Sequence, residues 1–221
     1  MNWIVIIGGF CTPEAAYAAE MSEIKKAGNG VFFIGHNKDV KFELELRNVK
    51  EADFVVYSYN DRMLRFAKKH PGMVKRLILV NPSGLIGEDT TTKFLFRFAR
   101  QMIEEACTIF RTALLNPQIL LTVAKVVWSF IGLSSRNLKE VPSIAHSNIV
   151  PLLLELKQCK VEVILLHACS DRVFPQERIV KTLGEDPFKL IASWSMFIDK
   201  DASHNVSYIK KPGALRQILG W

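Results

Sequence analysis

Residues 53–80 read "DFVVYSYNDRMLRFAKKHPGMVKRLILV". The continuous apolar run "FVVY" gives way at Ser58 to a segment with helical periodicity, and a second apolar run, "RLILV", follows. Runs of this length without a polar face fit strands covered on both sides of a parallel sheet. Strand, helix and strand in that order make one crossover unit. Ser58 stands where the first strand turns into the helix. A serine there is either a helix cap or an attacking group held at a strand end.

The same alternation extends outward. "WIVII" at the N-terminus reads as a strand and runs into "GGFCTPEAAYAAEMSEIKKAG". There Gly8 and Gly9 permit a tight turn, Thr12 can cap a helix and Pro13 fits its first position. Gly28 and Gly30 close that helix, "VFFI" is the second strand, and a polar stretch separates it from Phe54. Between about Leu85 and Val150 the alternation stops. "TKFLFRFARQMIEEACTIFRTALL", "NPQILLTVAKVVWSFIGL" and "PSIAHSNIVPLLLELKQ" all carry helical patterns. Strand and helix resume with "VEVILLH", "PQERIVKTLG", "SWSMFID" and a last helix ending at Trp221. The expected architecture is α/β, with a mainly parallel sheet of about six strands flanked by helices. Residues 1–84 and 151–221 form the core, and residues 85–150 form a helical insertion.

Composition narrows the partners. With 49% apolar and 23% charged residues the chain reads as globular, and 221 residues suffice for one large domain with an insertion. The net charge of +7 suits an anionic partner, but Lys and Arg are scattered rather than gathered into a stripe with aromatics. Nucleic acid is therefore not an expected partner. Cys11, Cys107, Cys159 and Cys169 show no CxxC pair and no zinc spacing, which fits a reducing, cytoplasmic setting. "MNWIVIIGGF" lacks the basic start and small-residue site of a signal peptide. The apolar run from Ile119 to Leu133 is interrupted by Lys125 and is shorter than the ~20 residues that span a bilayer.

Ligands of open parallel sheets bind beyond the carboxyl ends of the strands. The polar residues at those places are Gly8-Gly9-Phe10, His36, Ser58, Asn81-Pro82, Asp171 and His204. Ser58, Asp171 and His204 supply a nucleophile, an acid and a base in that chain order. The segment around Ser58, "VEVILLHACSDRVFP" around Asp171 and "DASHNV" around His204 resemble the α/β-hydrolase superfamily over nearly the whole chain. The resemblance implies the α/β-hydrolase fold, with the insertion as a helical cap and without the two antiparallel strands that commonly open it. It also implies a catalytic triad of Ser58, His204 and Asp171, with the backbone N–H groups of Phe10 and Tyr59 as oxyanion donors. The elbow departs from G-x-S-x-G: Val56 and Asn60 stand where the family has glycines, Ala168 precedes the acid loop and Ser203 the base.

The implied activity is hydrolysis of a carboxylic ester or thioester through an acyl-enzyme, with no cofactor and no metal. The Phe-, Leu- and Ile-rich insertion points to a small-molecule ester with an apolar acyl group, and amphipathic cap helices flanked by Lys and Arg could also rest on a lipid surface. Other readings stay open. Asp171 could pair with Arg172 on a solvated face, Asp199 and Asp201 compete as acids, and His36 and His167 could line a pocket or serve structure. The chain could be a non-catalytic binding relative. It could also be a Rossmann-like nucleotide-binding domain with Asp39 near a ribose, although the G-x-G-x-x-G spacing is absent.

Overall fold

A computed structural model describes residues 2–9, 12–36, 38–59, 61–87, 89–113, 134–189, 191–197 and 213–221. The apolar runs form six strands: β1 (Trp3–Ile7), β2 (Gly30–Ile34), β3 (Ala52–Tyr57), β4 (Val74–Val80), β5 (Glu162–Ala168) and β6 (Ser193–Phe197). They make one sheet of order β2-β1-β3-β4-β5-β6, and every neighbouring pair is parallel. The helices are α1 (Ala18–Lys26), α2 (Val40–Leu46), α3 (Asp61–Lys69), α4 (Thr91–Ala113), α5 (Ser134–Ala145), α6 (Val150–Gln158), α7 (Gln176–Leu183) and α8 (Ala214–Leu219).

The two-residue period of a strand divides its side chains between two cores. Val5, Ile7, Phe54, Val56, Leu77 and Leu79 face one way, toward Met63, Leu64 and Ala67 of α3 and Leu153 and Leu156 of α6. Ile4, Ile6, Val55, Tyr57, Ile78 and Val80 face the other, toward Met21 and Ile24 of α1 and Leu215 of α8. Both faces are covered, so no polar residue is needed in the central runs. Each such fully buried aliphatic side chain stabilises the fold by about 1.5–3 kcal/mol.

Two local expectations are corrected. The polar stretch before Phe54 contains α2, whose N-cap Asp39 accepts a bond from the Phe42 N–H at 3.0 Å. Asp39 thus serves a helix start, a role the sequence reading had not given it. After β1 the chain first makes a 3-10 turn (Glu14–Tyr17), and no side chain caps it. Its N-cap position is Pro13, one residue after Thr12, and its first residue is Glu14.

Among the described residues between β4 and α6 there is no strand. Phe94 of α4 and Val141, Ile144 and Ala145 of α5 join the same buried cluster as β3 and β4. The helix expected over 116–133 lies outside the described residues. No described helix is long and apolar enough to cross a membrane.

The start of the central strands is pinned by a polar staple. Asp53 is buried, Arg76 grips both of its oxygens at 3.0 and 2.6 Å, and the Trp221 indole N–H donates to it at 3.1 Å. That end is closed. The opposite end, where β3 and β5 finish, carries Ser58 and Asp171.

Candidate functional site

Ser58 follows the last residue of β3 with φ of 55°, in the left-handed region. An L-residue there carries roughly 1–2 kcal/mol of strain. The surrounding bonds fix it. The Ser58 N–H donates to Val80 O at 2.9 Å, and the Ser83 N–H donates to Ser58 O at 3.3 Å. The sharp turn forms although Val56 occupies the place where a small residue is usual. Val56 is 1% exposed and points into the α3 side of the core, away from the turn.

Gly9, after β1, lies against this turn. A Cβ at Gly9 would stand 3.1 Å from Ser58 Cβ and 3.1 Å from Tyr57 O. The Gly9 N–H donates to Tyr17 Oη at 3.2 Å, so it is committed to the core and is not an oxyanion donor. Tyr17 had no signal in the sequence. Its ring packs on Phe33 and Tyr57 and holds the glycine loop from behind.

Asn81, also at positive φ (47°), ties the serine turn to the acid segment. Its N–H donates to Leu166 O at 2.9 Å, and its Oδ1 accepts from the Ala168 N–H at 2.8 Å. The Asp171 N–H then donates to Ala168 O at 3.0 Å. A run of hydrogen bonds therefore crosses the sheet edge from Ser58 through the end of β4 to Asp171. By the usual strand spacing of about 4.8 Å, β3 and β5 are roughly 10 Å apart, room for one side chain between hydroxyl and carboxylate.

Asp171 is 3% exposed, and its Oδ1 accepts from the Val173 and Phe174 N–H groups at 2.8 and 3.0 Å. Arg172 turns away and pairs with Glu104 at 2.7 Å. That overturns an Asp171–Arg172 surface pair. The structure thus brings Ser58, Tyr59 and Asp171 to one edge of the sheet. Phe10, His204 and the competing acids Asp199 and Asp201 lie outside the described residues, as does Cys11.

Of the other histidines, His167 is fully buried in β5. His36 approaches Glu140 of α5 at 3.2 Å, and its ring lies 5.8 Å from that of Tyr59. Burial, followed by the nearby Asp61 carboxylate, raises the Tyr59 phenol above its ordinary pKa and keeps it protonated at neutral pH. Tyr57 shifts upward as well, again mainly through burial. Beside Asp171 runs a groove of about 350 Å³ lined by Phe96, Arg97, Arg100, Arg172 and Glu177 among others, more charged than apolar. Among the described residues no group of three His, Cys, Asp or Glu side chains could hold a metal ion. Cys107, Cys159 and Cys169 are free thiols.

No family model matches the chain. No curated protein matches it by sequence. Solved structures do match it. An enol-lactonase of Burkholderia xenovorans superimposes with a TM-score of 0.66 at 13% identity, covering 99% of this chain and 90% of its own. An esterase of Thermogutta terrifontis gives 0.65 at 13% identity, covering 100% and 89%. A carboxylesterase of the thaumarchaeon Nitrososphaera gargenis gives 0.62 at 15%, covering 99% and 88%. The chain has the α/β-hydrolase fold.

Proposed function

We propose that the chain is a serine hydrolase that cleaves carboxylic esters through an acyl-enzyme. The observation that carries the reading is Ser58 at φ 55°, held at the mouth of β3 with Gly9 packed on it. Strain of this kind persists only where the surroundings over-determine it, and it clusters at reacting groups.

In this reading Ser58 Oγ attacks the ester carbonyl while His204 takes the hydroxyl proton. The new O–C bond leaves negative charge on the former carbonyl oxygen, which the N–H groups of Phe10 and Tyr59 stabilise. The tetrahedral species collapses, the C–O bond to the leaving group breaks, and His204 returns the proton to release an alcohol. Water then repeats the sequence on the acyl-enzyme and frees a carboxylic acid. Asp171 orients His204, which follows β6 in the sequence. Its own loop amides hold the carboxylate at one oxygen. The fold's solved relatives, among them esterases and a lactonase, support ester chemistry. Helices α4 and α5 act as part of the cap, and the Phe- and Leu-rich composition of residues 85–150 supports an apolar acyl group.

p-Nitrophenyl esters of graded chain length test this. The wild type should release p-nitrophenolate with an initial burst matching the enzyme concentration, and Ser58→Ala and His204→Ala should each lose about 10³-fold or more. Folded wild-type protein that hydrolyses none of the series would overturn the reading in favour of a non-catalytic binding protein.

A further inference from the structure

The loop that bears Asp171 is held from outside by one stripe of α4. Phe94, Arg97, Gln101 and Glu104 recur at three- and four-residue intervals, so they share one helix face. Each meets a successive part of the acid loop. The Phe94 ring stacks on Phe174 with centroids 6.1 Å apart. Arg97 Nε donates to Val173 O at 3.1 Å. Gln101, which is 2% exposed, accepts the Arg172 N–H at 3.0 Å. Glu104 takes the Arg172 guanidinium at 2.7 Å. Arg97 is itself fixed by the buried Asp89, which also receives Arg178 of α7 at 3.5 Å.

The division of labour is specific. Asp171 Oδ1 uses the N–H groups of Val173 and Phe174, while α4 takes the backbone groups left over, the Arg172 N–H and the Val173 carbonyl. On the β5 side the loop is also tied by the Asp171 N–H bond to Ala168 O. The α4 contacts hold its other side, so their loss frees Arg172 and Val173 to shift, and the two amides that hold the carboxylate shift with them.

We infer that Gln101 and Arg97 are positioning residues, which set the place of the Asp171 carboxylate by clamping its loop to the first helix after β4. The inference rests on the hydrolase reading of Ser58, Asp171 and His204, and makes α4 part of the catalytic support rather than only a cover. A misplacement of about 1 Å in such a group can cost on the order of 10²-fold in rate.

The test compares Gln101→Leu, which keeps the volume and removes the acceptor, with Ile103→Gln, an exposed position of the same helix off the stripe. The readouts are the labelling rate with an alkyl fluorophosphonate across pH, and thermal unfolding. Gln101→Leu should label about 10- to 100-fold more slowly, while Ile103→Gln stays within about threefold of the wild type. The acid limb of the Gln101→Leu profile should move to lower pH, because a displaced carboxylate stabilises the protonated imidazole less. Should Gln101→Leu not fold, Arg97→Lys, which removes the donor to Val173 O, takes its place with the same expectation. A labelled wild type with unchanged rate and pH profile in the folded variant overturns this inference alone, even where the unfolding temperature falls. A wild type that is not labelled at all overturns the hydrolase reading and this inference with it.

Discussion

Gly9→Ala puts one methyl group where the structure leaves no room. The added carbon would lie 3.1 Å from Ser58 Cβ and 3.1 Å from Tyr57 O, both on the turn that closes β3. Favourable carbon contacts lie near 3.5–4.0 Å, so the two segments must separate by a few tenths of an ångström. Neither neighbour can swing aside, since the Ser58 N–H is bonded to Val80 O and the Gly9 N–H to Tyr17. Overpacking of this kind costs about 1–3 kcal/mol. For a chain of this length that is a fall of roughly 2–12 °C in unfolding temperature. The glycine loop moves relative to Ser58, so fluorophosphonate labelling should also drop by about 10²-fold. Gly72→Ala is the matched control, because nothing lies within 4 Å of a Cβ there. It should leave stability unchanged or raise it by up to about 1 kcal/mol. If Gly9→Ala behaves like Gly72→Ala in both differential scanning calorimetry and labelling, the glycine loop does not lie against Ser58.

Other perturbations follow from the same geometry. Ser58→Gly and Ser58→Ala both remove the hydroxyl, but only glycine suits φ 55°. The strain it relieves, about 1–2 kcal/mol, exceeds the roughly 0.5–1 kcal/mol its chain entropy costs, so urea titration should find Ser58→Gly the more stable by roughly 0.5–1 kcal/mol. Arg76→Ala leaves Asp53 buried with only the Trp221 indole as partner and should cost about 3 kcal/mol in the same assay. Glu20 has its pKa raised mainly by burial, although the Gly213 N–H donates to it at 2.6 Å. An acid raised on folding contributes most favourably below the unfolded carboxyl value near pH 4.3, and that contribution is lost as pH rises through the folded value. Glu20→Gln should therefore raise the unfolding temperature at neutral pH and leave it nearly unchanged at about pH 4.

The strands were legible because a sheet covered on both faces writes itself as uninterrupted apolar runs, as in "FVVY" and "RLILV". Helix α2 was not. "VKFELEL" alternates apolar and polar residues with a strand's period, yet only Leu44 of this helix is buried, while Phe42 and Leu46 are exposed. Its real signal was Asp39, a capping residue whose preference for helix starts outweighed the alternation. Ser58 and Asp171 could be read from their places at strand ends. The grip of Tyr17 on Gly9, of Asn81 on Ala168 and of Gln101 on Arg172 could not, since each joins residues distant in sequence or polar groups with many partners to choose from. Arg172 shows the limit most plainly: it adjoins Asp171 in sequence and bonds elsewhere.

The central claim is that the strained Ser58 is a nucleophile. Intact-protein and peptide mass spectrometry after fluorophosphonate treatment tests it most directly. A single covalent adduct on the peptide that contains Ser58, absent in Ser58→Ala and strongly reduced in His204→Ala, is the predicted result. A folded wild-type protein that forms no adduct, or forms it at another residue, would contradict the account.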